Sequence, residues 1–325
     1  MKTININFEK MYGGFLKEDN LITNTLRLRY NVVIDESNPD VIFCQDFPGD
    51  PAAPVTASRL GRSKIVHWFI ESLDKTGLPN YDHCDFSISS CKFDHPQNIR
   101  IPLWALYIDW FGRPYNPNRN QAFLVSPEKL VEPKTYQPKE KFCSILTNNG
   151  QGLRGSVYPY FIQYFIDKGL LVESRGNYLR NMESIQVGAG GDEKVKLEYI
   201  KNFKFHLCFD NSEFDGWITE KLIHPLYEGV IPIYWGCPDV IEEFNSDAFI
   251  HVRDFSNSEE VCDKVLEIYH NPDMFKDIQS QPTFPGNKIP EHVKPESILE
   301  DLTRIIEADV LGESIYVLTL SENKT

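Results

Sequence analysis

Residues 203–236, FKFHLCFDNSEFDGWITEKLIHPLYEGVIPIYWG, decide the fold that this sequence predicts. Apolar residues alternate along Phe203–Phe209, a polar loop follows, and Thr219 stands where a helix N-cap is expected before a helix and a second apolar strand. The stretch therefore predicts one β-α-β unit. Its loop leads into a helix N-terminus that carries Glu220 and Lys221, and such a junction offers N–H groups, a positive dipole end and a lysine to an anionic ligand.

Composition excludes several classes of protein. With 325 residues, 41% of them hydrophobic and 13% aromatic, the chain can form two domains with cores. A net charge of −14 disfavours a nucleic-acid partner, which requires a basic surface. Seven scattered cysteines without a C-x-x-C pair predict buried thiols in a reducing compartment, and no run approaches the ~20 apolar residues of a membrane helix. We expect a cytoplasmic protein without stable membrane insertion, with peripheral binding at the inner membrane as the alternative.

The rest of the chain predicts two α/β domains. Short apolar runs alternate with polar connections in both halves, as in open α/β sheets. Residues 113–141 contain five prolines and predict the connection between the domains. We therefore expect an N-terminal domain over 1–135, a C-terminal domain over 136–310 and a tail over 311–325 of uncertain packing. Two such domains suggest a cleft between their sheets.

Two candidate functional residues directly follow predicted strands. Glu71 follows a buried strand, and ligands of open α/β sheets bind outside the carboxyl ends of strands. By position alone, a solvated carboxylate or a helix cap is the simpler interpretation. Arg154 follows the Gly-rich loop after a second strand and suits a diphosphate, although by position alone a helix N-terminal arginine bonded to nearby carbonyls is the simpler interpretation. The loop matches neither the P-loop nor the dinucleotide fingerprint.

The polar loop of the opening stretch supplies further candidates. Asn211 and Trp217 lie on the same loop as Glu220 and Lys221, and the set resembles a ligand wall more than ordinary helix-start charges. A lysine here can neutralise a diphosphate, and Glu220 can accept hydrogen bonds from sugar hydroxyls. The histidines lack paired ligand spacing, so no metal site is predicted, and His206 in its apolar strand is expected to be a satisfied core residue.

Several stretches closely resemble the α-1,3/4-fucosyltransferase family, glycosyltransferase family 10. They are 202–212 (NFKFHLCFDNS), 216–221 (GWITEK) and 231–238 (IPIYWGCP), with 141–149 (KFCSILTNN) and Arg154 upstream and 70–72 (IES) in the first half. The similarity is strong from about 141 to 256 and sparser from 64 to 104.

The resemblance implies an α/β fold of the GT-B type, with two Rossmann-like domains facing a central cleft. It implies an inverting transfer of fucose from GDP-fucose to a hydroxyl of a glycan containing N-acetylglucosamine or glucose. Glu71 corresponds to the general base, and Arg154 and Lys221 correspond to ligands of the diphosphate, with Asn211, Trp217 and Glu220 around the nucleotide sugar. With two cations in place, no cofactor or metal is required.

The sequence departs from the family in ways that leave alternatives open. Trp217 replaces a tyrosine, Asp210 replaces a glutamate, and Arg175 interrupts a glycine-rich piece, which places it near the nucleotide or displaces that loop. Another nucleotide-sugar donor is therefore one alternative, and a glycan- or nucleotide-binding protein without turnover is the second. The acceptor is expected to contact loops 46–62 and 73–82.

Overall fold

A computed structural model describes residues 1–45, 63–113, 124–185 and 193–308. Its contacts divide the chain into two units, Met1–Ile101 with the chain from Pro295 onward, and Pro102–Lys294. Each unit is an α/β structure around a parallel sheet. The predicted acceptor loop 46–62 and the tail 311–325 lie outside the described residues.

The first unit contains a six-stranded parallel sheet with the order β2-β1-β3-β4-β5-β6. Its strands are β1 (Thr3–Glu9), β2 (Asn31–Ile34), β3 (Val41–Gln45), β4 (Lys64–Phe69), β5 (Phe86–Ser89) and β6 (Asn98–Arg100). Its helices are α1 (Leu21–Leu26), α2 (Leu73–Thr76) and, from the end of the described chain, α9 (Pro295–Glu307). The apolar runs thus form the predicted strands. The order of the strands in the sheet is that of an open α/β fold.

Helix α9 packs in the first unit although it follows the second in sequence. Lys64, buried in β4, donates from Nζ to the carbonyl oxygen of Ile305 at 2.9 Å and also to that of Ile306. Arg29 donates to Thr303 Oγ1 at 3.0 Å. The lysine satisfies carbonyls at the C-terminal end of the helix, where backbone acceptors lack partners and the dipole favours a cation.

The second unit contains a five-stranded parallel sheet with the order β11-β10-β9-β7-β8. Its strands are β7 (Lys141–Ile145), β8 (Val172–Ser174), β9 (Phe203–Phe209), β10 (Ile231–Trp235) and β11 (Ile250–His251). Its helices are α3 (Pro127–Val131), α4 (Arg154–Asp167), α5 (Glu193–Ile200), α6 (Glu220–Tyr227), α7 (Ser258–His270) and α8 (Pro272–Gln279). The opening stretch therefore forms β9, α6 and β10, with β9 at the centre of the sheet.

The aromatic face of α4 fills the core on one side of this sheet. Phe161 and Phe165 are fully buried and pack with Phe205 and Phe209 of β9. Burying a side chain of this size stabilises the fold by about 2–3 kcal/mol relative to its exposure. These aromatic residues of α4 therefore serve core packing.

The boundary between the units differs from the expected position near 135. Trp104 is fully buried in the second unit, where its Nε1–H donates to Glu243 at 2.8 Å and its ring packs against Phe284. Leu130 belongs to the same core. The described part of the proline-rich segment is thus packed into the second unit, because its few apolar residues find a core there.

Candidate active site

The loops that follow β7, β8 and β9 meet at the carboxyl edge of the second sheet. A Cβ added to Gly176 would lie 2.0 Å from the carbonyl oxygen of Thr147, and one added to Gly152 would lie 3.2 Å from that of Asn211. The Tyr178 amide also donates to Thr147 O at 3.1 Å. Because parallel strands end at one edge of a sheet, their loops form a continuous surface there, the usual ligand site of this architecture.

The approach of Gly176 to Thr147 gives a stability prediction. Gly176→Ala forces a methyl group onto a backbone oxygen, so one of the two loops must move, and we expect a loss of about 3 kcal/mol in the free energy of unfolding. Urea unfolding measures it. Gly13→Ala is the control, because nothing lies within 4 Å of its added Cβ. Equal stability of the two variants would show that the loops do not pack this way.

Arg154 opens α4 and lies almost completely buried beneath the β7 loop. Its guanidinium donates to Gln151 O at 3.0 Å, Thr147 Oγ1 at 2.8 Å and Asn149 Oδ1 at 3.0 Å. These acceptors are neutral, and in the described ranges 1–45, 63–113, 124–185 and 193–308 no carboxylate pairs with the arginine. The simpler interpretation, an arginine bonded to its own loop, is therefore part of the structure, and its positive charge remains uncompensated by an acid.

Asp210, at the end of β9, is a fully buried anchor for the next loop. Its Oδ1 accepts from Thr219 Oγ at 2.5 Å, and its Oδ2 accepts from the Tyr234 hydroxyl at 2.9 Å. Thr219 in turn caps α6 through the amide of Lys221. Burial raises the pKa of Asp210 to about 6, against the opposing effect of Lys221 and the two hydrogen bonds.

This raised pKa predicts how stability depends on pH. Because the folded state holds the Asp210 proton more tightly than the unfolded state, the associated stabilisation is complete below about pH 4 and is lost as the pH rises through about 6. We expect the stability advantage of the wild type over Asp210→Asn to shrink by about 2 kcal/mol between pH 4 and pH 7. Urea unfolding across this range measures it, and a pH-independent difference would contradict the account.

Charged side chains form a buried network at the start of α6. Lys196 of α5 donates from Nζ to Glu220 Oε1 at 3.2 Å and lies 3.4 Å from Glu193 Oε2. Lys221 Nζ lies 3.6 Å from Glu220 Oε1 and 3.8 Å from Asp210 Oδ1. Burial alone would raise the pKa of Glu220, but the two ammonium groups outweigh it and hold that pKa below its ordinary value.

Sequence reasoning missed Lys196 and Glu193. In α5 the buried positions are 193, 196, 197, 199 and 200, so Lys196 occupies the apolar face of the helix. A lysine at a core-facing position is rarely buried unless it is paired. The helical period of the sequence carried this signal, but the partner Glu220 lies on another helix.

Two further predicted residues are brought to the edge of the sheet and leave buried polar atoms without a partner. Among the residues that the structure describes, Asn211 Oδ1 has no hydrogen-bond partner, and neither has the indole Nε1–H of the fully buried Trp217. A buried polar group without a partner costs free energy, so these atoms mark places where a ligand would add bonds. Trp217 is thus an interior residue of the loop rather than an exposed stacking surface.

Arg175 follows β8 and points toward α5. Its guanidinium carbon lies 5.0 Å from the centre of the Tyr199 ring, and its Nε has no hydrogen-bond partner in the described part of the chain. The Tyr199 hydroxyl donates to the carbonyl of Glu173 at 3.1 Å. The residue is therefore held by a cation–π contact beside the β7 and β8 loops.

Glu71 lies in the first unit, two residues beyond β4, and its side chain is partly exposed. The next residue, Ser72, is the N-cap position of α2. In the part of the chain that the structure describes, Glu71 has no hydrogen-bond or ion-pair partner. It stands at the carboxyl edge of its own sheet, as predicted.

His206 is a satisfied core residue, as expected. Its Nδ1 lies 2.8 Å from Ser144 Oγ, and burial lowers its pKa to about 3. In the described residues, no group of three or more metal-ligating side chains is found, and no helix is long and apolar enough to cross a membrane. A cavity of about 110 Å³ opens at the other end of α6, beside Lys129, Tyr227 and Gln279, and its lining contains none of the predicted site residues.

A known family matches the part of the chain that contains most of these residues. Residues 167–279 match the family model of glycosyltransferase family 10 (fucosyltransferase), C-terminal part. These residues belong to glycosyltransferase family 10. The match includes β9, α6 and β10, so Asn211, Trp217, Glu220 and Lys221 all lie within the family 10 region.

Curated relatives extend the family 10 similarity. An α-(1,3)-fucosyltransferase of Helicobacter pylori is 24% identical over 220 residues, which are 62% of this chain and 44% of the relative. An α-(1,3)-fucosyltransferase of Drosophila melanogaster is 32% identical over 184 residues, 51% and 40% of the two chains. A GDP-fucose protein O-fucosyltransferase of the dog is 31% identical over 109 residues, 32% and 23%. The chain spans less than half the length of these relatives.

Solved structures establish the fold class of the chain. The crystal structure of an α1,3-fucosyltransferase with GDP-fucose superposes with a TM-score of 0.68, at 19% identity, over 96% of this chain and 93% of that chain. An α-glucosyltransferase in complex with UDP and DNA has a TM-score of 0.53, at 10% identity, over 93% and 100%. The two parallel-sheet units thus have the GT-B type of fold, and the predicted fold class is confirmed.

Proposed function

We propose that the protein is an inverting α-1,3(/4)-fucosyltransferase that moves L-fucose from GDP-β-L-fucose to a glycan hydroxyl. The observation that supports this most is the pair of cations at the carboxyl ends of adjacent strands. Arg154 follows β7 and Lys221 follows β9, in the unit that contains the family 10 match. A diphosphate leaving group needs such cations, because negative charge grows on it as the sugar departs.

GDP-fucose is the donor that the relatives support best. Relatives from several organisms are α-(1,3)-fucosyltransferases or GDP-fucose protein O-fucosyltransferases, and a superposable structure contains GDP-fucose. In this chain, the partnerless Asn211 Oδ1 and Trp217 Nε1 would supply hydrogen bonds to the nucleotide sugar, with Glu220 accepting from sugar hydroxyls. We assign Arg175, beside the same loops, to the nucleotide side of the site.

The proposed acceptor is a glycan of the N-acetyllactosamine or lactose type. The relatives' names differ on this point, since some specify an α-1,3 linkage and others a protein oxygen. The two classes present the same chemical group, an alcohol, to the reaction. A Ser- or Thr-containing peptide therefore belongs in the acceptor panel as an outcome that would redirect the proposal.

The reaction assigns different tasks to the two units. The acceptor hydroxyl attacks the anomeric carbon of fucose on the face opposite GDP, and Glu71 accepts the hydroxyl proton. The new C–O bond forms while the bond to the β-phosphate oxygen breaks, through a transition state with oxocarbenium character. The electron pair of the broken bond leaves with GDP, and Arg154 and Lys221 stabilise the resulting charge. One inversion at the anomeric carbon converts the β-linked donor into an α-linked product.

We expect catalysis to be independent of a divalent metal. The two side-chain cations already neutralise the diphosphate, the role that a metal ion fills in other transferases. Addition of EDTA should therefore change kcat and the KM for GDP-fucose by less than about twofold. Activity that EDTA abolishes and Mg²⁺ or Mn²⁺ restores would contradict this expectation, and buffer-exchanged protein assayed without chelator is the control.

A panel of nucleotide sugars tests the donor assignment. Calorimetry should show binding of GDP and GDP-fucose, weaker binding of GDP-mannose by about tenfold or more, and no measurable binding of UDP-galactose. Preference for another sugar nucleotide would favour the donor alternative. Binding of GDP-fucose without product after prolonged incubation with glycan and peptide acceptors would favour the non-catalytic alternative.

The cysteines support a cytoplasmic location within this proposal. All seven are buried, and none of them forms a disulfide within the described residues. Such thiols persist in a reducing compartment.

A further inference from the structure

The buried charges behind Lys221 carry an inference that rests on the proposed function. We infer that Lys196 is a positioning residue, which holds the Glu220 carboxylate so that the Lys221 ammonium remains available to the donor's diphosphate. Lys196 thereby acts through Glu220 and makes no contact with the substrate itself.

The distances show which lysine is hydrogen-bonded to Glu220. The 3.2 Å contact from Lys196 Nζ to Glu220 Oε1 is a hydrogen bond, whereas Lys221 Nζ lies 3.6 Å from the same oxygen. Beyond about 3.2 Å an N–H···O bond weakens, and charge-assisted bonds are ordinarily shorter still. Glu220 is therefore held by Lys196, and Lys221 is only a neighbour.

Both oxygens of the second carboxylate near Lys221, that of Asp210, also accept hydrogen bonds from other residues. Asp210 accepts from Thr219 through Oδ1 and from Tyr234 through Oδ2, and its Oδ1 lies 3.8 Å from Lys221 Nζ. The hydrogen bond of Lys221 Nζ in the structure is a 3.3 Å contact with Thr219 Oγ. Lys221 thus lies in the field of two carboxylates without a short bond to either.

Lys196 and Lys221 differ in how far their side chains are buried, which indicates different roles. The Lys196 side chain is 8% exposed, and that of Lys221 is 23% exposed. Glu193 lies on the other side of Lys196, at 3.4 Å, so two carboxylates flank this buried ammonium. They raise the pKa of Lys196 although burial alone would lower it, so the side chain remains charged. Lys221 is the lysine of this pair that an external anion can reach.

Without Lys196, the Lys221 ammonium should move to Glu220. An unpaired buried carboxylate is costly, and the nearest remaining cation is Lys221, 3.6 Å away. A small change of its rotamer would bring its ammonium onto Glu220. The same ammonium would then have to leave Glu220 before it could bind a phosphate, which lowers the affinity for the diphosphate.

A double-mutant cycle in the full chain tests this, with GDP as the probe. Lys196→Met should weaken GDP binding about tenfold and raise the KM for GDP-fucose more than it lowers kcat. In a Glu220→Gln background, the same substitution should change GDP affinity by less than about threefold, because the carboxylate that Lys196 would release is then absent and Asp210 keeps its bonds to Thr219 and Tyr234. Lys196→Arg, which keeps the charge, should restore most of the affinity. Lys194→Met, at an exposed position of α5, is the matched control.

Crystal structures of the wild type and Lys196→Met supply a readout that does not need the donor. We expect Lys221 Nζ to move to within hydrogen-bond distance of Glu220 in the variant. If Lys196→Met does not fold, the cycle is repeated in a Glu193→Gln background, in which Glu193 no longer leaves a second unpaired carboxylate beside Glu220.

Several results would overturn the inference. They are unchanged GDP affinity in folded Lys196→Met, an equal tenfold loss in the Glu220→Gln background, or a Lys221 that stays in place. Wild-type protein that binds no GDP would instead contradict the proposed function, and the position of Lys221 in the Lys196→Met crystal would then decide the inference.

Discussion

Glu71→Gln is expected to lower kcat for fucosyl transfer by about 10²–10⁴-fold while leaving the affinity for GDP within about twofold of wild type. The amide keeps the size of the side chain and cannot accept a proton at neutral pH. Glu71 follows β4 at the carboxyl edge of the first sheet and is partly exposed, without a partner among the described residues. A carboxylate that no structural bond requires can be removed with little effect on folding.

The measurement is GDP release with a saturating acceptor, combined with calorimetry of GDP binding. Asp74→Asn, which changes an exposed carboxylate three residues further on, is the matched control and should retain activity. Transfer by Glu71→Gln at the wild-type rate would eliminate this residue as the base. A parallel loss of GDP affinity would show that the substitution disturbs more than the acceptor hydroxyl.

Lys221→Met carries the second large effect, on both donor binding and turnover. We expect a decrease in kcat/KM of about 10²–10³-fold, because Lys221 stabilises charge that develops on the diphosphate as the sugar leaves. Since Arg154 is fixed by three bonds to its own loop, it can orient the diphosphate but cannot move to replace the lost ammonium.

The loss should appear partly in GDP affinity and partly in kcat, because the diphosphate is charged before the bond breaks and more so afterwards. Lys264→Met removes a more exposed lysine of α7 that pairs with Glu267, and it is the control. A Lys221→Met variant whose kcat falls no further than that of Lys264→Met would contradict a role in the departure of GDP. Lys221→Arg should recover part of the activity, since it restores the charge with a different geometry.

The sequence predicted the parts of the site that depend on local pattern. Alternation along Phe203–Phe209 and the N-cap at Thr219 predict the position of the loop between β9 and α6. Arg154 was likewise placed at the start of a helix by the strand and glycine-rich loop before it. These features require only neighbours in sequence, so the local pattern contains them.

Other features depend on contacts between distant segments and were not predictable. Lys196 is understandable only with Glu220, which lies on a different helix. Leu130 assigns the described part of the proline-rich segment to the second unit, and its apolar character alone did not indicate which core would accept it. Lys64 likewise attaches α9 to the first unit across more than two hundred residues.

The proposed transfer of fucose is tested by determining which product the protein forms. The protein is incubated with GDP-β-L-fucose and N-acetyllactosamine, lactose or the β-1,3 isomer of N-acetyllactosamine, and the product linkage is determined by NMR. The account predicts an α-linked fucose on the N-acetylglucosamine or glucose residue, formed in step with the release of GDP. A β-linked product, or fucose-free acceptors after prolonged incubation with protein that binds GDP-fucose, would contradict it.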